Sequence, residues 1–513
     1  MSWTSGYITE IGYTYGYYRE MTPGLMRFAL LNAGLAPLPA GPLNYLELGY
    51  GQGVSINIHA AGNAGAFWGT DFIPAQAAHA QSLAQVSKSG AVLTDESFVD
   101  FAARTDLPEF DIIALHGTWS WVSDENRRAI VDIVRRRLRP GGILYMSYNC
   151  LPGWTVALPL RHLMALHVEL AGAGDTGIIG KIDNAIAFTE QVVASGAFHF
   201  RVNAPAAERL KAIAGQERHY LAHEYFNRDW AVMPFSNVVR WLDDAKVSFV
   251  ASAQLLDHVD AINLTGQWQQ LLAGIANPIL RESTRDYLIN HQFRRDLFIK
   301  GPRRLAPIDR IEALRAQPFV LMVRPEDVAM KVSGSMGEVA LQEQVYKPLL
   351  EVMAQGAYAP KTLGEIVDHK KMSGIAFEQV VAALLVLSSI GQAHPTQTTT
   401  KPIREHCAAL NHHILQRARG GSDMSFLASP VTGGGVTIDR FSQLFLLALQ
   451  QHNRKTPPEQ ASFAWDVLSA QGHRLVKNGV PIPDAEQNMA ELTQHATSFA
   501  DARLPILKAL GIA

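Results

Sequence analysis

Glu47-Leu-Gly49-Tyr-Gly51-Gln-Gly53 overlaps the end of the apolar run Asn44-Tyr-Leu-Glu-Leu48, and Gly69-Thr-Asp71 closes a second apolar run, Ala66-Phe-Trp-Gly-Thr, a little further on. The first run reads as a short buried strand entering a turn. Glycines there tolerate positive φ and let the backbone come close to a ligand. The helix that follows, from about Val54 to Asn63, turns its unpaired N–H groups toward the same place. Asp71 lies about 20 residues on, where an acidic side chain can accept both hydroxyls of a ribose. A dinucleotide fingerprint would place a third Gly or Ala at position 54, which is Val here, so the spacing argues against NAD and FAD. No Walker lysine follows, which argues against ATP and GTP.

An acidic residue, glycines on alternate positions and then a helix resemble motif I of class I S-adenosylmethionine-dependent methyltransferases. The resemblance implies a cofactor, S-adenosylmethionine, held by Glu47, Gly49, Gly51, Gly53, Asp71 and Phe72, with its methionine end over the glycine turn. In that class an acidic or polar residue after the third strand meets the adenine amino group and an apolar neighbour meets the ring. Asp95, Ser97 and Phe98 stand at that position, after Ala91-Val-Leu-Thr. Phe110-Asp-Ile-Ile-Ala-Leu115 is a fourth strand, ending at His116-Gly-Thr-Trp119-Ser-Trp121. Residues Asp124 to Leu138 read as a helix, with Ile130, Ile133, Val134 and Leu138 at helical spacing and Ser123 as N-cap. Ile143-Leu-Tyr-Met-Ser-Tyr148 is a fifth strand. The alternation predicts an α/β fold built on a parallel, Rossmann-like sheet, with ligands beyond the carboxyl ends of the strands.

The 513 residues suffice for two to four domains, and 48% hydrophobic with 18% charged content marks a globular chain. A net charge of −2 gives no sign of a nucleic-acid binder. Cys150 and Cys407 are far apart, with neither a disulfide framework nor metal-ligand spacing, so no metal is expected. The amino terminus shows no basic stretch or apolar segment of a signal peptide, and no run reaches the ~18 apolar residues of a membrane span. The expectation is a cytoplasmic protein without membrane insertion.

Five segments are expected. Residues 1–156 form the cofactor-binding core. A helical insertion, 157–216, broken at Ala171-Gly-Ala-Gly-Asp, serves as a lid or dimer contact. Residues 217–317 complete the sheet, through a helix near Asn237–Asp244 and a strand at Val247-Ser-Phe-Val-Ala, and continue as a mainly helical middle domain over Gly266 to Arg304. Residues 318–400 have the order of a winged-helix module. Its second helix, from Phe377, lacks Lys and Arg and is therefore a poor reader of DNA. Residues 401–513 are helical. Near the amino terminus, Tyr7, Tyr13, Tyr15, Tyr17 and Tyr18 either line the cofactor mouth or seal the sheet edge. Thr22 caps a helix that Pro23 opens.

Taken together, Tyr13-Thr-Tyr-Gly-Tyr-Tyr, His116-Gly-Thr-Trp-Ser-Trp, Ser147-Tyr-Asn-Cys-Leu-Pro-Gly-Trp, Tyr220-Leu-Ala-His-Glu-Tyr and Phe293-Arg-Arg-Asp-Leu-Phe resemble bacterial methyltransferases carrying a methyltransferase regulatory domain. That group includes lysine methyltransferases acting on bacterial outer-membrane proteins. The resemblance implies a protein substrate methylated on lysine, a homodimer, and middle and C-terminal domains. Relatives have an aromatic after the Asn of the loop that follows the fifth strand, where this chain has Cys150-Leu151.

A lysine acceptor must lose a proton before it attacks, since its free pKa is roughly 10.4. Trp119, Trp121, Tyr148 and Trp154 suit an aromatic channel that disfavours the ammonium, and Asn149 offers a carbonyl oxygen. His116 and His223 are candidate bases, and Glu224 either orients His223 or binds a cationic substrate. Two other readings remain at this point: an O-methyltransferase for a sugar or other small molecule, and a cofactor-binding interaction protein without catalysis. His116-Gly-Thr-Trp replaces the Asp/Asn-Pro-Pro-aromatic loop of amino-methylating DNA enzymes, which counts against base methylation.

Overall fold

In a computed structural model of the protein, residues 7, 14–39, 41–171, 177–451 and 453–513 are described. Tyr13 of the aromatic opening, the amino-terminal stretch read for a signal peptide and most of the Ala/Gly break after Ala171 lie outside the described residues.

Seven strands form the central sheet: β1 (Leu43–Leu48), β2 (Gly65–Thr70), β3 (Val92–Thr94), β4 (Phe110–Leu115), β5 (Leu138–Asn149), β6 (Ser248–Ser252) and β7 (Phe293–Ile299), in the order β3-β2-β1-β4-β5-β7-β6. β1 to β5 are mutually parallel. The chain order reverses beside β1, and a crevice opens there at the carboxyl ends of the strands.

Alternate residues of each strand serve opposite faces. Tyr45, Ile112, Ile143 and Tyr145 enter a core shared with the helix Pro23–Asn32 and with residues beyond 318, where Phe28 meets Phe319 at a ring distance of 4.9 Å. Leu46, Leu48, Ile113 and Leu144 face the opposite way, against the helices Phe98–Ala103, Asp124–Arg137 and Phe235–Trp241. Ser123 caps Asp124–Arg137, its side chain accepting from the Asn126 N–H. Thr22 does not cap Pro23–Asn32 with its side chain; its hydroxyl pairs with that of Tyr17 at 2.8 Å.

The structure corrects the reading of residues 266–304 as helical. Helices Gly266–Ala273 and Pro278–Ile289 are followed by β7, which runs antiparallel to both β5 and β6, so the sheet is mixed rather than parallel. Charge hid this strand. Arg294 and Asp296, two apart and therefore on one face, are almost fully buried and bond each other at 2.8 Å. Arg294 also reaches Asp286, and the Tyr148 hydroxyl donates to Asp296 at 2.6 Å. Buried charges that satisfy each other in this way escape a hydropathy pattern.

The insertion is a helical layer, Leu158–Ala171, Ile178–Ala194, Phe198–Val202 and Ala204–Ala214, with its own core of Leu160, Met164, Ile182, Ile186, Leu210 and Ile213. Beyond 318, a three-stranded sheet has Pro318–Leu321 between Lys361–Thr362 and Ala393–Pro395. The helix Phe377–Ser389 is buried along most of its length. Among the described residues the remainder is mainly helical, with three small hairpins, Lys331–Gly334 with Gly337–Ala340, Phe426–Ala428 with Gly435–Thr437 and Val476–Lys477 with Val480–Pro481. No helix among the described residues is long and apolar enough to cross a membrane.

Candidate active site

The glycine turn is shaped by backbone bonds. Gly49 N–H donates to Thr70 O at 2.8 Å, tying the end of β1 to that of β2, and Gly53 N–H donates to Tyr50 O at 2.9 Å. Gly49 and Gly53 both have φ of +73°, a region that penalises any side chain. A Cβ on Gly53 would lie 2.3 Å from the Cβ of Ala80, and one on Gly49 would lie 2.6 Å from the Thr118 hydroxyl. The turn therefore packs against the next helix on one side and the end of β4 on the other.

Asp71 faces this turn. Its Oδ2 accepts from Gly51 N–H at 2.9 Å and its Oδ1 from Ile73 N–H at 3.1 Å. Burial pushes its carboxyl up to about 6, against the pull of those two amides. Each oxygen keeps a further lone pair for a diol. Glu47, at the end of β1, is 3% exposed and its Oε2 has no hydrogen-bond partner. Burial, then the nearby Asp71 charge, raises its pKa well above the usual carboxylate range. Glu47 is not among the residues that line the cavity beside this turn.

One cavity joins the pieces. Gly49, Gly51, Asp71, Phe72 and Phe98 line one side; His116, Gly117, Thr118, Trp121, His223 and Glu224 line the other, with Tyr7 between them. Tyr7 packs edge-on to Phe72 at 5.7 Å and lies 5.8 Å from the His223 ring. The space is about 100 Å³, below the ~300 Å³ of an ordinary small-ligand cleft.

His116 is held by three aromatic neighbours. Tyr18 stacks on it at 3.7 Å, Phe293 meets it at 5.7 Å, and its Nδ1 shares a 2.8 Å hydrogen bond with the Tyr145 hydroxyl. Burial, with Arg295 adding repulsion, lowers its pKa to about 3, so the ring is neutral near pH 7. Glu224 lies on the helix Arg218–Tyr225, and burial raises its carboxyl to about 7.

The other residues singled out in the sequence sit elsewhere. Gly53 is the N-cap of the helix Val54–Gly62, behind the cavity wall. Asp95 is exposed, and Ser97 caps the helix Phe98–Ala103 by accepting from Asp100 N–H. Trp119 is fully buried between the Arg127 guanidinium and Trp241. Tyr148 is fully buried on Asp296, and Asn149 is buried with its backbone N–H on the Ser120 hydroxyl. Trp154 packs on Trp230 at 5.3 Å and on Tyr225 at 5.7 Å. None of these four lines the cavity. Ile73, Gln76, Gly117, Thr118 and Val122 do line it and carried no sequence signal beyond nearness to the motifs. Among the described residues no three His, Cys, Asp or Glu side chains stand close enough to hold a metal ion.

A methyltransferase domain family matches residues 46–142, and a predicted methyltransferase regulatory domain matches residues 217–300. An uncharacterized protein of Synechocystis sp. is 38% identical over 520 residues, covering 100% of both chains. An uncharacterized protein of Rickettsia prowazekii is 28% identical over 193 residues, which are 37% of this chain and 34% of that one. The fold is similar to that of PKMT2 from Rickettsia typhi in complex with AdoHcy, with a TM-score of 0.71 at 17% identity over 97% of this chain and 100% of the other.

The chain belongs to the class I S-adenosylmethionine-dependent methyltransferases that carry a methyltransferase regulatory domain. The residues fit that cofactor: a carboxylate at Asp71 held by two backbone amides, and a glycine-walled approach at Gly49 and Gly51.

Proposed function

We propose that the chain is a protein lysine N-methyltransferase. The observation that carries this reading is Glu224, a carboxyl held at about 7 by burial, on a helix of the regulatory domain and on the wall of the cofactor cavity. Bound S-adenosylmethionine supplies an electrophilic methyl group. The residues of this chain have the remaining tasks: to align an amine, to take its proton and to keep water out.

A lysine ammonium entering between Tyr7 and Trp121 loses water, and that desolvation lowers its pKa from roughly 10.4 toward that of Glu224. Glu224 as carboxylate then accepts the proton, and the neutral amine attacks. The nitrogen would take the methyl group in place of the proton that Glu224 holds, and the demethylated cofactor would leave as a neutral thioether. His116, neutral near pH 7, adds no repulsion to the incoming cation. The same low basicity disfavours His116 as the base that a hydroxyl acceptor would need. Asp71 takes the ribose in this assignment, Phe72 and Phe98 the adenine faces, and His223 positions Glu224 and Tyr7. The full-length fold similarity to PKMT2, a name denoting a protein lysine methyltransferase, supports the choice of acceptor.

We also assign the insertion a role in homodimer formation. It leaves Leu170 and Phe198 exposed at 74% and 69%, together with Val202 and Ile179, an unusual apolar surface for a soluble layer.

The test is to incubate the purified protein with methyl-labelled cofactor and a cell lysate. Base-resistant label mapped to lysine Nζ in protein is the expected result. Label confined to small molecules would replace the reading by O-methylation of a metabolite. No transfer despite measured cofactor binding would make the chain a binding protein only.

A further inference from the structure

A second cavity, of about 230 Å³, lies between the insertion and the loop after β5. Gly153, Trp154 and Ala157 form one wall, Pro205 and Arg209 another, and Asn290 and Gln292 close it. No acidic residue is among these. The Arg209 guanidinium lies 5.9 Å from the Trp154 ring and donates to the Tyr225 hydroxyl at 3.1 Å. Among the described residues no carboxylate pairs with it. The indole N–H of Trp154, a residue 7% exposed, is buried without a hydrogen-bond partner. The cavity thus offers a cation and two side-chain amides.

Arg161 extends the same pattern. It lies 4.7 Å over Trp230, donates to the Asn227 carbonyl, and has a buried Nε without a partner and no carboxylate among the described residues. Burial lowers its pKa, as expected for a desolvated cation that lacks a counter-charge. Most other partly buried arginines of the chain are paired: Arg104, Arg127, Arg285 and Arg294 each hold a carboxylate.

This cavity is joined to the cofactor cavity in two ways. Trp121, which lines the cofactor cavity, is 6.3 Å from Trp230, and Trp230 is 5.3 Å from Trp154. The helix Arg218–Tyr225 lies between them, with Glu224 on the cofactor side and Tyr225 bonded to Arg209.

We propose that the second cavity is a specificity subsite that holds an acidic side chain of the acceptor polypeptide. It rests on the reading of the protein as a lysine methyltransferase. A carboxylate there pairs with Arg209, while Asn290 and Gln292 are placed for peptide amides. Trp121 and Trp154 lie no further apart than these two ring-to-ring steps together, so about three or four residues of extended chain at ~3.3 Å per residue are enough to span them. The aspartate or glutamate is accordingly expected about three or four positions from the methylated lysine.

Two ten-residue peptides test this, each with one lysine, and with either glutamate or glutamine about four positions away. Steady-state methyl transfer by the full-length enzyme is expected to favour the glutamate peptide about tenfold in kcat/KM, mainly through KM. Arg209→Met should erase that preference, Arg209→Glu should reverse it toward a peptide carrying a second lysine there, and Arg209→Lys should retain part of it. Tryptophan fluorescence, read without cofactor turnover, should show tighter binding of the glutamate peptide to wild type alone. Equal binding of the two peptides, or a preference that survives Arg209→Met in a variant with wild-type melting behaviour, overturns the subsite. So does displacement by millimolar inorganic phosphate combined with indifference to the peptide carboxylate, which would make the cavity a free-anion site. If neither peptide is methylated, the lysine reading fails on its own, and the fluorescence comparison still decides the subsite.

Discussion

The two walls of the cofactor cavity were assembled differently. One is drawn from a single stretch, Gly49 to Phe98, and depends on backbone: two glycines at positive φ, amides from Gly51 and Ile73, and one carboxylate to receive them. The other collects His116, Gly117, Thr118, Trp121 and Val122 with His223 and Glu224 from two distant places, and depends on side chains. A wall made of backbone tolerates few residue types at fixed spacing. A wall made of side chains needs only the right groups brought near by the rest of the fold.

The contrast can be broken first at Asp71. Asp71→Ala removes the acceptor for two backbone amides and for the ribose, and should weaken cofactor binding about 100-fold, roughly 3 kcal/mol, by calorimetry. Unchanged affinity would move the cofactor out of this cavity. Next comes the other wall. Glu224→Gln should lower kcat/KM about 30-fold, roughly 2 kcal/mol, with little change in cofactor affinity. Wild-type activity should rise between pH 6 and 8 as the carboxyl, held at about 7, ionises, and this limb should vanish in the variant. The linkage to stability has the opposite sense. A carboxyl raised in the folded state favours folding while protonated, and that contribution is lost as pH climbs through about 7. Glu224→Gln should therefore melt at a higher temperature than wild type at pH 8, but not at pH 4.

Smaller effects sharpen the boundary between the walls and their supports. Tyr148→Phe removes one donor from Asp296 and should cost about 1 kcal/mol in stability, with kcat within about twofold. A large loss of kcat would return Tyr148 to the acceptor channel. Asp95→Asn should change cofactor affinity least, about twofold, because the side chain stands exposed at the rim.

The first wall was legible in the sequence because close approach and tight turns leave glycine few substitutes. The strands β1 to β5 were legible because buried parallel strands are continuous apolar runs. β7 was not, since Arg294 and Asp296 are polar letters that the fold buries as a pair. The tryptophans misled for a related reason: Trp119 and Trp154 stand near the motifs in sequence, yet their rings turn to Arg127, Trp241, Tyr225 and Trp230 instead of the cavity. Sequence nearness gives the strand end on which a side chain sits but not the direction in which it leaves the backbone. Glu224 was noticed beside His223, but only burial revealed a carboxyl suited to exchanging a proton near pH 7.

The helix Val54–Gly62 is buried at every one of its positions, one face on the sheet core and the other under the carboxyl-terminal third of the chain. Asn63 donates to Gly433 O at 2.7 Å, Gln397 donates to Gly62 O, Cys407 donates to Ala61 O at 3.4 Å, and Gly62 lies against the Gly433 backbone. The nucleotide-facing half is therefore no detachable cassette. Shearing the chain near residue 400 would bare Val54, Ile58 and Ala61 on the face of this helix that packs on Ile403, Cys407 and Leu410.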